Sequence, residues 1–221
     1  MHARAVACAL TVMWPLAALA GEVRGAARFG GAPPAAGAAL ETTKDRATCG
    51  DAVPDESLLV SQGGLENVLV RVEVPGVRAA PRTVVLDQQR CRYQPRAQVA
   101  PLGSTLELRN GDPILHNVHG YAGTATAFNV PMPIPGGKAP RPLSRPGVVR
   151  VACDVHAWMA ASILVTETPF AAVTGKGGAF ELTGVPPGTW QAVAWHERFG
   201  EKRAVVVVPE KGAAELVFTF P

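Results

Sequence analysis

The chain has 221 residues, of which 48% are hydrophobic and 18% charged, and its formal net charge is +3. That length suffices for one large β-domain or two small ones with a sizeable buried core. The basic residues are scattered and not clustered, so we expect no nucleic-acid partner.

The N-terminus has the features of a secretory leader. Arg4 precedes an apolar run over residues 5–19 that closes in the small-residue sequence Ala-Leu-Ala at 18–20. Residues 1–20 are therefore predicted to be a signal peptide, and the mature protein to be soluble and periplasmic or otherwise exported. Retention as an uncleaved anchor is the alternative. The run is short and interrupted by Pro15, so we expect no transmembrane anchor after cleavage.

Glycine, proline and β-branched residues dominate the chain after residue 20, and apolar residues alternate with polar ones, as in residues 67–74. Alternation with a period of two predicts antiparallel β-strands. Nine strands are predicted, at residues 22–29, 58–62, 68–74, 82–86, 98–102, 105–109, 116–121, 148–152 and 162–166. Their number and short spacing predict an all-β fold, a two-sheet sandwich with Greek-key links.

Two stretches are predicted to lie outside the core. Residues 30–40 are rich in alanine, glycine and proline, which is typical of a loose connection. Residues 131–147 contain six prolines, which remove hydrogen-bond donors and favour extended chain. We expect the second stretch to be a surface loop.

The character of the sequence changes after Pro169. Four segments predict turns and strands, at residues 173–182, 185–190, 204–208 and 216–220. This pattern is similar to the small prealbumin-like β-module of carboxypeptidase regulatory domains. We therefore predict two domains, at residues 21–167 and 168–221. The second is near the lower size limit for independent stability, so it should pack on the first or share a strand with it.

The segment Cys153-Asp154-Val155-His156-Ala157-Trp158-Met159 directly follows the predicted strand at 148–152. It must be a loop to present a thiolate, an imidazole and a thioether to one ion, because neighbours on a strand face opposite ways. A second imidazole is available from His116. Two imidazoles, one thiolate and a weak axial thioether suit copper in both oxidation states. The sequence thus predicts one copper ion with the ligands His116, Cys153, His156 and Met159.

The cysteine count agrees with this assignment. Cys8 lies in the predicted leader, which leaves three cysteines in an exported chain, where an odd thiol is notable. The simplest partition pairs Cys49 with Cys91 in a disulfide and reserves Cys153 for the metal. A disulfide of this kind persists in an oxidising compartment.

Three other interpretations stay open. A buried free cysteine, a surface histidine and a core methionine can lie together by chance, since free cysteine often acts as a small hydrophobe. Zinc also accepts two histidines and one cysteine, although methionine is a poor fourth ligand for it. Met132 is an alternative axial ligand with a less suitable sequence position than Met159.

The run His116-Asn117-Val118-His119, with Cys153-x-x-His156-x-x-Met159, resembles the ligand set of cupredoxins, the type 1 (blue) copper proteins, and is similar to amicyanin's short ligand loop. More broadly, the chain resembles a plastocyanin-like group of exported bacterial proteins associated with methylamine utilisation. The resemblance implies a Greek-key cupredoxin sandwich at residues 21–167 and makes His116 the ligand. His119 is then expected to face away. It also implies that Asn117 holds the loop and hydrogen-bonds toward the thiolate sulfur.

Two residues depart from the pattern. Asp154 stands where a small hydroxyl residue is usual, and its carboxylate is expected to bond to Asn117 or to lower the reduction potential through its charge. Arg96 stands where that group often has histidine; if that histidine serves a second metal, this chain lacks it. Outside the motif, His196 beside Glu197 could form a catalytic pair. A structural role is favoured, because neighbours on a strand face opposite ways.

Four protein donors leave no open position for substrate, so we expect electron transfer and no enzyme activity. Electrons are expected to leave through a solvent-near His156, with Ala157, Trp158 and Pro113 forming an apolar docking patch. The expected partner is an exported redox protein such as a cytochrome c or a periplasmic dehydrogenase or reductase, met transiently. The alternatives are a periplasmic copper-binding or delivery protein and a non-redox β-sandwich scaffold subunit.

Overall fold

The computed structural model describes residues 21–32 and 39–221; the predicted signal peptide lies outside the described residues. In this part of the chain, no helix is long and apolar enough to cross a membrane. The strands are β1 Gly21–Phe29, β2 Ala39–Glu41, β3 Ala52–Pro54, β4 Val60–Ser61, β5 Gly64–Leu65, β6 Leu69–Glu73, β7 Thr83–Gln89, β8 Arg92–Gln94, β9 Ala97–Pro101, β10 Thr105–Arg109, β11 His116–Ala122, β12 Ala125–Met132, β13 Lys138–Pro142, β14 Gly147–Ala152, β15 Ala160–Thr166, β16 Ala171–Val173, β17 Ala179–Val185, β18 Gly188–His196, β19 Gly200–Val208 and β20 Ala213–Phe220. A four-residue helix, α1 Arg46–Cys49, and a 3₁₀ helix, Lys176–Gly178, complete the set.

The all-β class is confirmed. Four of the five sheets in the described residues form two sandwiches, and the fifth is the two-stranded sheet β2-β3. The first sandwich consists of the sheet β13-β10-β7-β8 and the sheet β12-β11-β14-β15-β9. Residues from both sheets, among them Leu86, Leu108, Val118 and Ile163, are fully buried between them. Cys153 and Met159 belong to the same core, so the predicted metal loop lies at one end of this sandwich.

The second sandwich combines strands from both ends of the chain. Its sheets are β17-β1-β5-β4, with β20 added to β1, and β16-β6-β18-β19. β20 pairs in parallel with β1 along eight residues and buries Leu216, Phe218 and Phe220 against the N-terminal strands. The division of the strands between the two sandwiches therefore does not follow the predicted domain boundary at 167/168. A C-terminal segment of about fifty residues is marginal for a core of its own, and β1, β5 and β6 supply further faces.

The same exchange of strands affects the segment at 173–182. It contains a strand end, a glycine-rich turn and a second strand, as predicted, but the two strands do not pair with each other. β16 pairs with β6 and β17 pairs with β1, so the two strands lie in different sheets.

The two sandwiches are joined by an apolar cluster and by an ion pair. Leu69, Ala97 and Leu164 are buried together between them. Beside this cluster, the Arg96 guanidinium donates to both carboxylate oxygens of Glu197, each at 2.8 Å, and both side chains are largely buried. The bidentate geometry is typical of strong, specific arginine–carboxylate contacts. Arg96 thus serves as a link between the sandwiches.

Within the proline-rich stretch at 131–147, the prediction of a surface loop is wrong in part. β13 lies inside it and pairs with β10 only, with Pro140 opposite Glu107 and Pro142 opposite Thr105. Proline is tolerated on an edge strand, where alternate N–H groups face solvent. β12, which pairs with β11 and reaches Met132, has no counterpart among the predicted strands.

Candidate metal centre

The segment 153–159 forms the connection between β14 and β15, which pair up to Ala152 and Ala160. Two backbone hydrogen bonds close the loop: the N–H of Cys153 donates to the carbonyl of Met159 at 3.3 Å, and the N–H of Met159 donates to the carbonyl of His156 at 2.9 Å. The side chains of Cys153, His156 and Met159 all turn into the core and are buried. A loop on a rigid sheet thus holds these side chains together.

The structure brings three of the predicted donors to one point. The donor atoms of His116, Cys153 and His156 lie within 4.8 Å of one another. Nδ1 of His116 is 3.0 Å from Nδ1 of His156, and Sγ of Cys153 is 3.8 Å from Nδ1 of His156. Cys153 is a free thiol. This triangle of two nitrogens and one sulfur has the dimensions of a site for one transition-metal ion.

Both methionines considered as axial ligands are buried in this core. Met159 closes the ligand loop. Met132 is the register partner of His116 across β11 and β12, and paired residues project from the same face of a sheet.

A carboxylate contacts the Nε2 atom of each imidazole, whereas the Nδ1 atoms face each other. Nε2 of His116 lies 2.9 Å from Oδ2 of Asp112, and Nε2 of His156 lies 2.9 Å from Oδ2 of Asp45. Asp112 stands four residues before His116, where the sequence could have indicated it. Asp45 is 111 residues away from His156, and no local pattern pointed to it.

These contacts fix what the Nδ1 atoms can do. An ionised carboxylate only accepts hydrogen bonds, so in a neutral imidazole at either position Nε2 carries the proton and Nδ1 presents a lone pair. Burial lowers the pKa of His116, despite the opposing effect of Asp112, which favours the neutral imidazole that binds metals. Two such lone pairs 3.0 Å apart repel unless a proton or a metal ion lies between them. The donor set therefore fits a bound metal ion.

Asn117 holds the loop, but through Asp154. Its Oδ1 accepts the Asp154 N–H at 2.6 Å, and its Nδ2 donates to Asp154 at 2.8 Å and to Asn129 at 2.9 Å. Both amide hydrogens are thus used on oxygen acceptors, and the predicted bond toward the sulfur is replaced. The Asp154 carboxylate takes one of these hydrogens in a charge-assisted hydrogen bond.

His119 faces away from the three donors. Its Nδ1 is 3.0 Å from Oδ1 of Asp154, its Nε2 is 2.9 Å from the Thr126 hydroxyl, and its ring stacks on Tyr121.

Tyr93, which no sequence motif indicated, supports the backbone of the site. Its buried hydroxyl lies 2.5 Å from the carbonyl of Asn117 and 3.0 Å from that of Ala152, at the ends of two ligand-bearing strands. Burial raises the pKa of Tyr93, so the hydroxyl stays a donor.

The expectation of a solvent-near His156 is wrong. Its imidazole has 0% exposure, because Asp45 covers the Nε2 edge and the Trp158 ring lies 5.1 Å away. Trp158 is itself partly buried and donates its indole N–H to the carbonyl of Cys91. Of the predicted docking patch, Ala157 and Pro113 are exposed.

The predicted pairing of Cys49 with Cys91 is confirmed as a disulfide. It lies beside the candidate metal site, since Cys91, Asp112 and His116 also meet within 4.8 Å. The Cys91 sulfur is consumed in the disulfide and offers no thiolate. This second group therefore supports the first and is not a separate metal site.

His196 is buried in the second sandwich, where its ring stacks on Phe199 and its Nδ1 accepts the Arg198 N–H. Burial, and then the charges of Arg198 and Arg96, lower its pKa to about 4. The unfolded chain takes up this proton near pH 6.5, so it binds more protons than the folded chain between pH 6.5 and 4. The free energy of unfolding must therefore decrease as the pH is lowered from 6.5 to 4.

We expect the metal-free protein to lose about 2 kcal/mol of stability between pH 7 and pH 4.5 through this one residue. Urea unfolding of wild type and His196→Gln at both pH values measures it. The variant should be less sensitive to pH by that amount. An identical pH dependence in both proteins would contradict the assignment.

No protein-family model and no curated protein sequence matches the chain. Among solved structures, it is similar to the Cu-containing nitrite reductase from Thermus scotoductus SA-01, with 22% identity over 44% of this chain and a TM-score of 0.36; the chain spans only 25% of that protein. It is also similar to a purple cupredoxin from Nitrosopumilus maritimus, with 20% identity, 38% of this chain, 99% of that one and a TM-score of 0.34. A third similar structure is a reduced Cu(I) form of an amicyanin mutant, with 21% identity over 44% of this chain and 98% of that one, and a TM-score of 0.34. These similarities cover less than half of the chain, so the case for a metal depends on the donor atoms themselves.

Proposed function

We propose that the protein is an exported type 1 copper protein that shuttles single electrons between redox partners. The observation that supports this most strongly is the meeting of two facing imidazole Nδ1 atoms with one free thiol in a buried pocket. Soft sulfur favours the cuprous ion and imidazole accepts either oxidation state. His116, Cys153 and His156 would hold the ion, with Met159 as the axial donor.

Burial of the ligands favours electron transfer over the alternatives. A delivery protein needs ligands that a partner can reach, whereas all four expected ligands are buried. A site saturated by protein donors also has no open position for substrate, which is why we propose no enzyme activity. A scaffold would have no need of a buried free thiol beside two facing imidazole Nδ1 atoms.

Export is part of the proposal. The Cys49–Cys91 disulfide is of the kind that persists in oxidising compartments such as the periplasm. The partner would then be an exported redox protein, such as a cytochrome c or a periplasmic dehydrogenase or reductase.

An apolar rim on the His116 side of the site would receive that partner. Leu115 is 47% exposed and Ile134 is 67% exposed, and Pro113 is also exposed. The loops that carry them are joined by hydrogen bonds of Asn110 to Ile114 and Gly136. Small apolar surfaces of this kind suit transient redox encounters.

Redox cycling in the presence of a cuprous chelator separates the proposed functions. The copper-loaded protein is reduced with ascorbate and reoxidised with ferricyanide while its visible spectrum is recorded. An electron carrier regains its full band after each cycle with one electron per copper. A delivery protein loses the metal to the chelator on the first reduction, and that result would reject the proposal.

Asp154 should tune the potential of the site. Its carboxylate is held ionised, since hydrogen bonds from His119 first, and from Asn129 and Asn117, lower its pKa. A negative charge next to Cys153 stabilises the cupric state. We expect Asp154→Ser to raise the reduction potential by tens of millivolts, where about 59 mV is a tenfold change for a one-electron couple. Spectroelectrochemical titration measures it, and an unchanged potential would reject this role.

A further inference from the structure

A short turn from another part of the chain closes over the outer edge of the metal site. Asp45 precedes helix α1 and places its Oδ2 2.9 Å from Nε2 of His156. The His156 ring is completely buried, although Ala157 beside it is exposed. Asp45 has a left-handed backbone, with φ 51° and ψ 35°, a conformation that aspartate tolerates better than most residues. The turn is thus shaped to aim one carboxylate at one imidazole.

The turn is fastened at several points. The carbonyl of Asp45 accepts hydrogen bonds from the N–H groups of Thr48 and Cys49, each at 2.9 Å. Cys49 is then bonded covalently to Cys91. The N–H of Cys91 donates to Asp112, and its carbonyl accepts from Trp158. The disulfide therefore ties the turn to the carboxylate behind His116 and to the ligand loop itself.

The two carboxylates differ in how deeply they lie. Asp112 is buried and also accepts from the N–H groups of Arg90 and Cys91, so it is part of the frame. The Asp45 side chain is 41% exposed, whereas the His156 side chain that it contacts has 0% exposure.

We propose that Asp45 is a positioning residue and that residues 45–49 form a disulfide-anchored cover over His156. The carboxylate orients the imidazole with its Nδ1 toward the ion and blocks the outer path along which the metal leaves. This inference rests on the proposed function for the identity of the metal, whereas the cover itself is a property of the metal-free chain as well.

The cover is tested first without metal. Diethyl pyrocarbonate modifies exposed imidazole nitrogens, and mass spectrometry of peptides from the full chain locates the modified histidine. We expect His156 to be protected in wild type and in Asp51→Ala, a control in the same segment that removes another exposed aspartate. We expect Asp45→Ala to expose it and Asp45→Asn, which keeps an acceptor oxygen, to restore much of the protection. Equal modification of His156 in all four proteins would overturn the inference and leave the proposed function standing.

The second test uses the copper-loaded chain and an excess of chelator, with the loss of the visible band recorded over time. Loss of a carboxylate that orients a ligating histidine costs about 10- to 100-fold in metal affinity. We expect Asp45→Ala to form the band and then to lose copper about 10- to 100-fold faster than wild type. Asp51→Ala should match wild type. A wild-type rate in Asp45→Ala rejects the positioning role, whereas a wild-type chain that forms no band rejects the proposed function and this role with it.

Discussion

Cys153→Ser should abolish the intense visible band of the copper-loaded protein. That band requires charge transfer from a thiolate to the cupric ion, and Cys153 is the one free cysteine in the described part of the chain. A serine hydroxyl stays protonated near neutral pH and is a poor donor to the cuprous ion. We expect complete loss of the band while weak copper binding through His116 and His156 remains. Visible absorption during a titration with cupric ion measures both.

His119→Gln is the matched control for this experiment. His119 stands three residues from His116 but faces Asp154 and Thr126. The His119→Gln variant should therefore keep the visible band. A band that survives in Cys153→Ser, or that disappears only in His119→Gln, would contradict the ligand assignment. Circular dichroism of both variants shows whether the sheets are intact.

The double substitution Cys49→Ala with Cys91→Ala should cause a large loss of stability. The disulfide closes a loop of 42 residues, for which the loss of chain entropy in the unfolded state corresponds to about 4 kcal/mol. Urea unfolding of the metal-free protein measures the difference, and metal-free wild type in reductant should match the variant. A difference below about 1 kcal/mol would contradict a stabilising role for the disulfide.

Local sequence patterns were sufficient to predict the positions of strands in the first sandwich. β10 and β14 have the predicted positions within a residue, because each alternates between a buried and an exposed face. The ligand loop was predictable for the same kind of reason. Cys153, His156 and Met159 are close in sequence, and the geometry of a loop leaving a strand restricts where they point.

Long-range pairing was not predictable in this way. The parallel pairing of β1 with β20 joins residues nearly two hundred positions apart. The alternation of apolar and polar residues predicts a strand but does not identify the strand with which it pairs. The cover over His156 is a similar case. Asp45 lies among polar residues with no spacing relation to the ligand loop, and the disulfide that anchors its turn joins residues 42 positions apart. Sequence therefore indicated the donors and not the group that closes the site.

The most direct test of the metal assignment is an anomalous difference map from crystals of the copper-loaded protein, with data collected on both sides of the copper absorption edge. We expect a single peak bounded by Nδ1 of His116, Nδ1 of His156 and Sγ of Cys153, with Met159 on its axial side. A peak at any other place, or copper-loaded crystals without a peak among these atoms, would contradict the account.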